Sequence, residues 1–377
     1  MPDAANTPLS DLRVVVRASG VAAAYAGRLL GTMGAEMILL EPPAGSQLRW
    51  EPPFIAGTDV SALFAYHTAG MRSLVWDGRD TAILSEADIF IDDTPVAGRA
   101  AMGIDDAAIA RMHPNLIHVS VLPFGASGPK AGWKGTEINL QHASGEGNLL
   151  PNGLSVEMFP ERPPVKIYGH FAALQGGIAA ALGALAAVWA RPGTGGQYVD
   201  ISCQDAALAV GAFAIQRYGD GAVEHRVERS FRYGGVLPCA DGYVELLTLE
   251  QRQWTALVEL LGRPDWALDP ALSDALERSR RGPAINAHIR AWAKQRLVAD
   301  IVAKGQAAGV PLAEYATPAQ VLHDPHERER GLFSPVMIAD GLVLDMLAAP
   351  FRFGAAPLQL RGGPPQLGTY DPARETA

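Results

Sequence analysis

The sequence predicts an α/β fold in which helices cover a parallel sheet, together with a smaller α+β domain. The first 41 residues read as strand, helix and strand: apolar runs at 12–16 and 36–40 flank a helical stretch at 22–33. These three elements within about 30 residues form a βαβ unit with a parallel strand pair. Hydrophobic residues make up 48% of the 377 residues and charged residues 19%, which is the balance of a globular protein with a large core.

The alternation of strands and helices continues past this unit and predicts a doubly wound sheet. Further strands are predicted at 73–76, 89–92, 116–120 and 197–201, and helices at 105–112, 171–190 and from 205 to 218. Residues 124–164 are rich in Gly, Pro and Asn, so they are predicted to form a loop with one short helix at 137–143.

The character of the chain changes near residue 226, where charged residues become denser. A predicted strand at 243–247 is followed by amphipathic helices at 254–261 and 284–293. We therefore predict a large domain over 1–225, a small α+β domain over 226–318, and a C-terminal segment, 319–377, that returns to the large domain.

Charge and cysteine content exclude several classes of protein. The formal net charge of −9 argues against non-specific nucleic-acid binding, which needs a positive field. Two cysteines, Cys203 and Cys239, make no disulfide framework, and we expect a cytoplasmic location. The polar N-terminus lacks the order of a signal peptide. The apolar stretch 176–190 is shorter than the roughly 20 residues that span a bilayer, which predicts a buried helix and no membrane partner.

Common catalytic and cofactor motifs are missing. The first strand-to-helix turn, 17–23, contains only Gly20, whereas a dinucleotide-binding turn needs three spaced glycines. The nine histidines and two cysteines include no His-x-x-x-His and no Cys-x-x-Cys pair, so no metal is expected. Arg49 beside Trp50 follows the second strand. Either this arginine binds a phosphate while the ring stacks on a base, or it is a surface arginine that covers a half-buried tryptophan.

Several ordered motifs resemble the class III CoA-transferase family, also known as the CaiB-BaiF type. Residues 29–41 are similar to its first helix and second strand, and 195–202 (GGQYVDIS) to its most diagnostic segment. The segments HPNLI at 113–117 and FGASGP at 124–129 match two further signatures. The likeness covers nearly the whole chain. It implies a Rossmann-like large domain, a small domain, an intertwined dimer of two interlocked rings, and CoA or an acyl-CoA as substrate.

The resemblance also implies positions for the CoA-binding residues. Arg49 and Arg72 match family positions near the adenosine and phosphate end of CoA. Arg99 lies close to a third family arginine, whose own position corresponds to Ala101 here. These three arginines are therefore the predicted CoA ligands.

The chain departs from the family at the nucleophile. The family uses an aspartate that attacks the thioester and passes through covalent anhydrides, and glycines follow it four and ten residues later. Here those glycines are Gly177 and Gly183, which places Ala173 at the nucleophile position, and a methyl group forms no anhydride. A three-residue shift would place His170 there instead, but the ungapped match to Ala173 is preferred.

A second departure concerns acid-base chemistry. The histidine of the family's racemase branch corresponds to Thr136, which is followed by Glu137. Glu137 is either the remaining carboxylate of the site or an ordinary helix-capping glutamate.

Three functions are compatible with these departures. The first is a subunit of a heteromeric, benzylsuccinate-type CoA-transferase whose homologous partner supplies the aspartate. The second is a CoA-thioester lyase, hydratase or isomerase that uses Glu137 or His170 as its base. The third is a non-catalytic homodimer that binds CoA esters. The first is the favoured prediction, because an intertwined dimer lets a partner chain complete the site.

Overall fold

The computed structural model describes residues 7–150, 161, 163, 165–211, 233–354, 358 and 360–372. The chain divides into two compact units. The first comprises Met1–Gly147, Lys166–Arg217 and Pro325–Ala377, and the second comprises Asn148–Val165 and Tyr218–Asp324. Of the described residues, 148–150, 161, 163 and 165 group with the second unit, whereas the predicted large domain covers 1–225. The Gly- and Pro-rich sequence around them has no periodicity that would assign them to either unit.

A six-stranded parallel sheet forms the centre of the first unit, as predicted. Its strands are β1 (Arg13–Arg17), β2 (Glu36–Glu41), β3 (Arg72–Val75), β4 (Ile89–Asp92), β5 (Ile117–Leu122) and β6 (Tyr198–Ser202), in the order β3-β2-β1-β4-β5-β6. The order reverses direction between β1 and β4. In open sheets of this kind ligands bind beyond the carboxyl ends of the strands.

Seven helices of the first unit precede residue 212 in the described part of the chain. They are α1 (Val21–Thr32), α2 (Ala62–Thr68), α3 (Val96–Arg99), α4 (Asp106–Met112), α5 (Glu137–Ala143), α6 (Phe171–Thr194) and α7 (Cys203–Val210). Helices α1 and α6 share one hydrophobic core with the inner strands, and a second core lies around Phe90 and Ile38.

Small residues let α1, α6 and α7 approach one another closely. A Cβ added at Gly177 would stand 2.7 Å from the carbonyl oxygen of Ala22, and one at Gly176 would stand 2.4 Å from Sγ of Cys203. No side chain fits at these distances, so glycine is required where α6 crosses its neighbours. The close packing brings the N-terminal ends of α1, α6 and α7 together.

Helix α6 is longer than the apolar stretch from which it was predicted. With 24 residues it is the one helix in the described ranges long and apolar enough to cross a membrane by length and composition, and 44% of its most apolar window is buried. Its residues Ala180, Ala184 and Ala187 are buried in the core, so it packs as a core helix of the α/β unit.

The second unit contains an antiparallel three-stranded sheet and its own hydrophobic core around Trp254 and Leu257. Its elements are β7 (Gly235–Pro238), β8 (Tyr243–Leu246), α8 (Gln251–Leu260), α9 (Ala275–Arg280), α10 (Gly282–Ala293), α11 (Val298–Ala307), β9 (Leu312–Glu314) and α12 (Pro318–His323). Helix α8 begins three residues before its predicted start because Glu250 and Gln253 form a capping box.

The C-terminal segment packs on the first unit. It contains α13 (Pro325–Glu329) and the hairpin β10 (Phe333–Ala339) and β11 (Leu342–Leu347). Val336, Ile338 and Met346 join Ala65 of α2, and Ala69 directly after it, in one hydrophobic cluster. The N–H of Tyr370 then donates to the carbonyl of Ser73 at 2.8 Å.

Candidate active site

The N-terminus of α6 holds a carboxylate that comes from another helix. Oε1 of Glu137 accepts a hydrogen bond from the N–H of Ala172 (2.8 Å), and Oε2 accepts one from the N–H of Ala173 (3.1 Å). Glu137 is the first residue of α5, whose start is fixed by a capping box between Thr136 and Asn139. A helix leaves its first amides unpaired, and its dipole favours negative charge there. Glu137 therefore supplies the cap that α6 does not supply itself.

Position 173 lies directly beside this carboxylate. Ala173 is half-buried and contributes an amide and a methyl group, and the first turn of α6 contains no acidic residue. The structure thus brings together Ala173 and Glu137, which are 36 residues apart in the chain. The carboxylate beside position 173 therefore comes from Glu137 of α5, and not from α6 itself.

His170 is the N-cap residue of α6, and within the described ranges its side chain makes no capping hydrogen bond. It lies within electrostatic reach of His67, a residue that is only 3% exposed. Burial, the Arg28 cation and His170 together lower the pKa of His67 to about 3, so His67 is neutral at physiological pH. Its ring packs edge-on against Tyr25 and Tyr66 at 5.6 and 4.9 Å between centroids.

A buried polar cluster, Gln141, Glu146 and Gln175, adjoins the same helix ends. The three side chains are 0, 8 and 7% exposed. Nε2 of Gln175 donates to Oε1 of Glu146 at 3.4 Å, and the N–H of Ile167 donates to Oε1 of Gln141 at 2.9 Å. Among the residues described, Nε2 of Gln141, Oε2 of Glu146 and Oε1 of Gln175 have no partner. Buried polar atoms are rarely left unpaired, so this cluster is incomplete without a further group.

Burial and the neighbouring residues shift the pKa of Glu146. Burial raises its pKa, the hydrogen bond from Gln175 opposes that rise, and the charge of Glu137 adds to it. None of the three residues of the cluster was predicted from the sequence. The only available signal was that Gln141 lies one helical turn after Glu137, because burial of a glutamine leaves no mark on a hydrophobic pattern.

A second carboxylate caps the neighbouring helix α1. Oδ2 of Asp93, directly after β4, accepts hydrogen bonds from the N–H groups of Ser19 and Gly20, both at 2.7 Å. Burial and the adjacent Asp92 charge raise the pKa of Asp93 to about 6, against the effect of these hydrogen bonds. Burial, followed by the charges of Glu137 and Asp93, raises the pKa of Cys203 to about 12. The thiol is therefore protonated and provides no nucleophile.

Replacing Asp93 with asparagine should remove one pH-dependent part of the stability. Because its pKa is about 6 in the folded chain and 3.8 as the ordinary value, the folded state retains a proton between pH 4 and 6 that the unfolded state has released. Its contribution is thus complete below pH 4 and is lost as the pH rises through 6. Urea unfolding at pH 4, 5, 6 and 7 should show the wild type losing stability relative to Asp93→Asn. A difference that does not change with pH would contradict the raised pKa.

Arg49 forms a bidentate ion pair inside the chain. Its Nε and Nη2 donate to the two carboxylate oxygens of buried Glu41 at 2.6 and 2.7 Å, and its guanidinium stacks on Phe64 at 3.9 Å. Burial alone would raise the pKa of Glu41, but hydrogen bonds from Arg49, Ser73 and Ser46 outweigh it and leave that pKa below its ordinary value. Trp50 is 66% exposed. Arg49 thus packs on Phe64, and Trp50 is not the half-buried ring that one alternative assumed.

The other two predicted CoA ligands also have partners within the chain. Arg72 pairs with Glu36 and stacks on Tyr370 at 4.2 Å. Arg99 is only 3% exposed. Its contacts are the Thr94 carbonyl (2.9 Å), the Tyr198 hydroxyl (2.9 Å), the Ser120 hydroxyl (2.6 Å) and the Asp92 carboxylate (3.2 Å). These contacts join Arg99 to β4, β5 and β6, and its role as a CoA ligand stays a prediction.

Metal-based chemistry has no support from side-chain clustering. Within the described ranges no group of three or more His, Cys, Asp or Glu side chains could hold a metal ion.

Three comparisons place the chain among known proteins. The profile of CoA-transferase family III matches residues 9–370. A probable CoA-transferase of Mycobacterium tuberculosis is 30% identical to this chain. The match covers 84% of this chain and 40% of that relative. Subunit BbsE of succinyl-CoA:(R)-benzylsuccinate CoA-transferase from Thauera aromatica is 26% identical over 94% of this chain and 91% of its own. The crystal structure of a CaiB/BaiF family protein from Brucella suis is 28% identical, with a TM-score of 0.85, over 98% of this chain and 99% of its own.

Proposed function

Since the chain belongs to CoA-transferase family III, we propose that it is one subunit of a heteromeric CoA-transferase. The enzyme moves CoA between an acyl-CoA thioester and a carboxylic acid, and a homologous partner chain supplies the catalytic aspartate. The observation that carries this proposal is the methyl group of Ala173 at the N-terminus of α6, where the family resemblance places the nucleophile. The succinyl-CoA enzyme to which the BbsE subunit belongs is a relative with this type of composition.

The chemistry of the site supports a partner. Transfer through an anhydride needs a carboxylate free to attack the thioester carbon. Ala173 has none, and the Cys203 thiol is buried and protonated. Both oxygens of Glu137 are engaged by amide hydrogen bonds. This also weakens the alternative in which Glu137 is the base of a lyase or isomerase.

The outer face of α6 supports a partner chain as well. Ile178, Leu182 and Trp189 are 52, 68 and 89% exposed. Their spacing of four and seven residues puts them on one side of the helix. Large apolar side chains grouped in this way are typical of surfaces that another chain covers. We propose that the homologous subunit covers this stripe in an intertwined dimer.

Coexpression with a homologue encoded nearby that retains the aspartate tests the proposal. The purified complex, assayed with succinyl-CoA and a panel of carboxylic acids, should transfer CoA, whereas each chain alone should not. Replacing the partner's aspartate with alanine should reduce the rate by about a thousandfold or more, as expected when a nucleophile is lost. A homodimer of this chain that transforms a CoA ester by itself would overturn the heteromeric assignment.

A further inference from the structure

The N-terminus of α6 binds a carboxylate in the structure, and that carboxylate belongs to the chain itself. Each oxygen of Glu137 meets one backbone N–H, at 2.8 and 3.1 Å. This is how helix N-termini bind carboxylates and phosphates in general. Glu137 is half-buried and extends from a different helix, so rotation of its side chain would vacate the two amides while α6 stays folded.

We propose that the amides of Ala172 and Ala173 are the subsite for the carboxylate of the acid substrate, and that Glu137 occupies this subsite while the substrate is absent. The proposal rests on the proposed function only in taking a carboxylic acid as substrate. A carboxylate held by these amides lies beside position 173, where the family resemblance places the reacting group.

The buried polar cluster provides a second place for Glu137. Gln141 lies one turn further along α5, on the same side of the helix. It is 0% exposed, and its Nε2 has no hydrogen-bond partner among the residues described. A Glu137 carboxylate that turned toward Gln141 would accept from this unpaired donor. This one hydrogen bond partly replaces the two that Glu137 gives up to the substrate, so displacement of Glu137 still costs free energy.

The same cluster indicates that the space beside the amides is built for a ligand. Oε2 of Glu146 and Oε1 of Gln175 are also buried and unpartnered in the described ranges. Gln175 lies four residues after Phe171, the first residue of α6, and the charge of Glu137 acts on Glu146. Unpaired donors and acceptors therefore adjoin the helix end that binds the Glu137 carboxylate.

Titration of the full chain with succinate and acetate, in the assembly that it forms, tests the subsite. Wild type should bind weakly because each acid must first displace Glu137. In Glu137→Ala the amides are free, and binding measured by calorimetry should tighten by about tenfold or more, since the binding-competent fraction rises toward one. Circular dichroism establishes that the variant is folded. A folded Glu137→Ala that binds neither acid more tightly than wild type overturns the proposal.

Two further variants test whether the gain in acid binding arises at the amides of Ala172 and Ala173. Ala173→Pro deletes one amide donor, and proline is tolerated in the first turn of a helix. Added to Glu137→Ala, it should abolish most of the gain. Glu259→Ala, which removes an exposed glutamate of α8, should leave binding as in wild type. Equal affinity with and without Ala173→Pro would show that the acid binds elsewhere and would refute the placement. If Glu137→Ala does not fold, Glu137→Gln replaces it, with a smaller gain expected and no gain refuting the proposal.

The outcome is separable from the proposed function, because the titration involves neither CoA nor turnover. A complex without transferase activity whose Glu137→Ala variant gains acid binding would remove the proposed function and keep the subsite. An active complex whose Glu137→Ala variant gains no acid binding would keep the proposed function and remove the subsite. Amide chemical shifts of Ala172 and Ala173 in alanine-labelled protein provide a direct readout of where the acid binds.

Discussion

Replacing Ala173 with aspartate should give this chain a nucleophile of its own. The new carboxylate would stand at the third position of α6, where a negative charge is favoured by the helix dipole. Incubation with succinyl-CoA should then yield a covalent aspartyl-CoA thioester at residue 173, which borohydride reduces and mass spectrometry of the peptide detects. Transfer by the assembled protein should rise by at least about a hundredfold over the wild-type chain alone, since covalent catalysis becomes available.

The matched control is Ala173→Asn, which has the same shape but cannot form an anhydride. It should show neither the thioester nor the gain in rate. Glu137 is the main complication, because two carboxylates beside the same amides repel each other. The double variant Glu137→Gln with Ala173→Asp should therefore label at a lower pH than Ala173→Asp alone. If Ala173→Asp and Ala173→Asn behave alike, position 173 is not where the acyl group is presented.

The sheet was predictable because its strands are buried on both faces. The runs at 12–16, 36–40 and 116–120 are almost continuously apolar, as parallel strands between two helical layers must be. Each of them became a strand within one or two residues of its predicted bounds. Helix α6 was predicted for a similar reason, since residues 171–190 are mostly Ala, Gly and Leu and contain no proline.

The site was predictable only where it depends on chain order. Ala173 followed from the spacing to Gly177 and Gly183, and the structure explains Gly177 independently, by the approach of α6 to Ala22. The pairing of Glu137 with the amides of Ala172 and Ala173 joins residues 35 and 36 positions apart. No local pattern specifies such a contact, because a glutamate at the first position of a helix usually serves its own helix.

The three arginines were predicted as CoA ligands from the family resemblance and stay a prediction, while the structure gives each of them an acidic partner within the chain. Arg49 and Arg72 each lie next to an acidic residue of the neighbouring strand β2, Glu41 and Glu36 respectively. Strand register sets the second pair, because Ile38 lies opposite Arg72 and Glu36 lies on the same face two residues before Ile38. The first pair is local, because Arg49 follows Glu41 by eight residues. The sequence displays the charges but not which strands are neighbours, so a paired arginine and a ligand-binding arginine look alike before the topology is known.

Arg99→Met should destabilise the chain strongly, by about 3–5 kcal/mol in the free energy of unfolding. The substitution leaves the buried Asp92 carboxylate, 0% exposed, without its closest cation at 3.2 Å, and removing one partner of a buried ion pair costs about that much. Ser120 and Tyr198 lose hydrogen bonds as well. Urea unfolding followed by circular dichroism measures the loss.

The matched control for this loss of stability is Arg263→Met, which removes an exposed arginine paired with Glu259. Exposed pairs contribute about 0–1 kcal/mol, so the two variants should differ by at least about 2 kcal/mol. A CoA ligand would behave in the opposite way: Arg99→Met would unfold like Arg263→Met and would weaken CoA binding instead. Measuring CoA affinity and unfolding on the same two variants therefore decides whether Arg99 holds the sheet together or holds the cofactor, and its contacts with Asp92, Ser120 and Tyr198 favour the sheet.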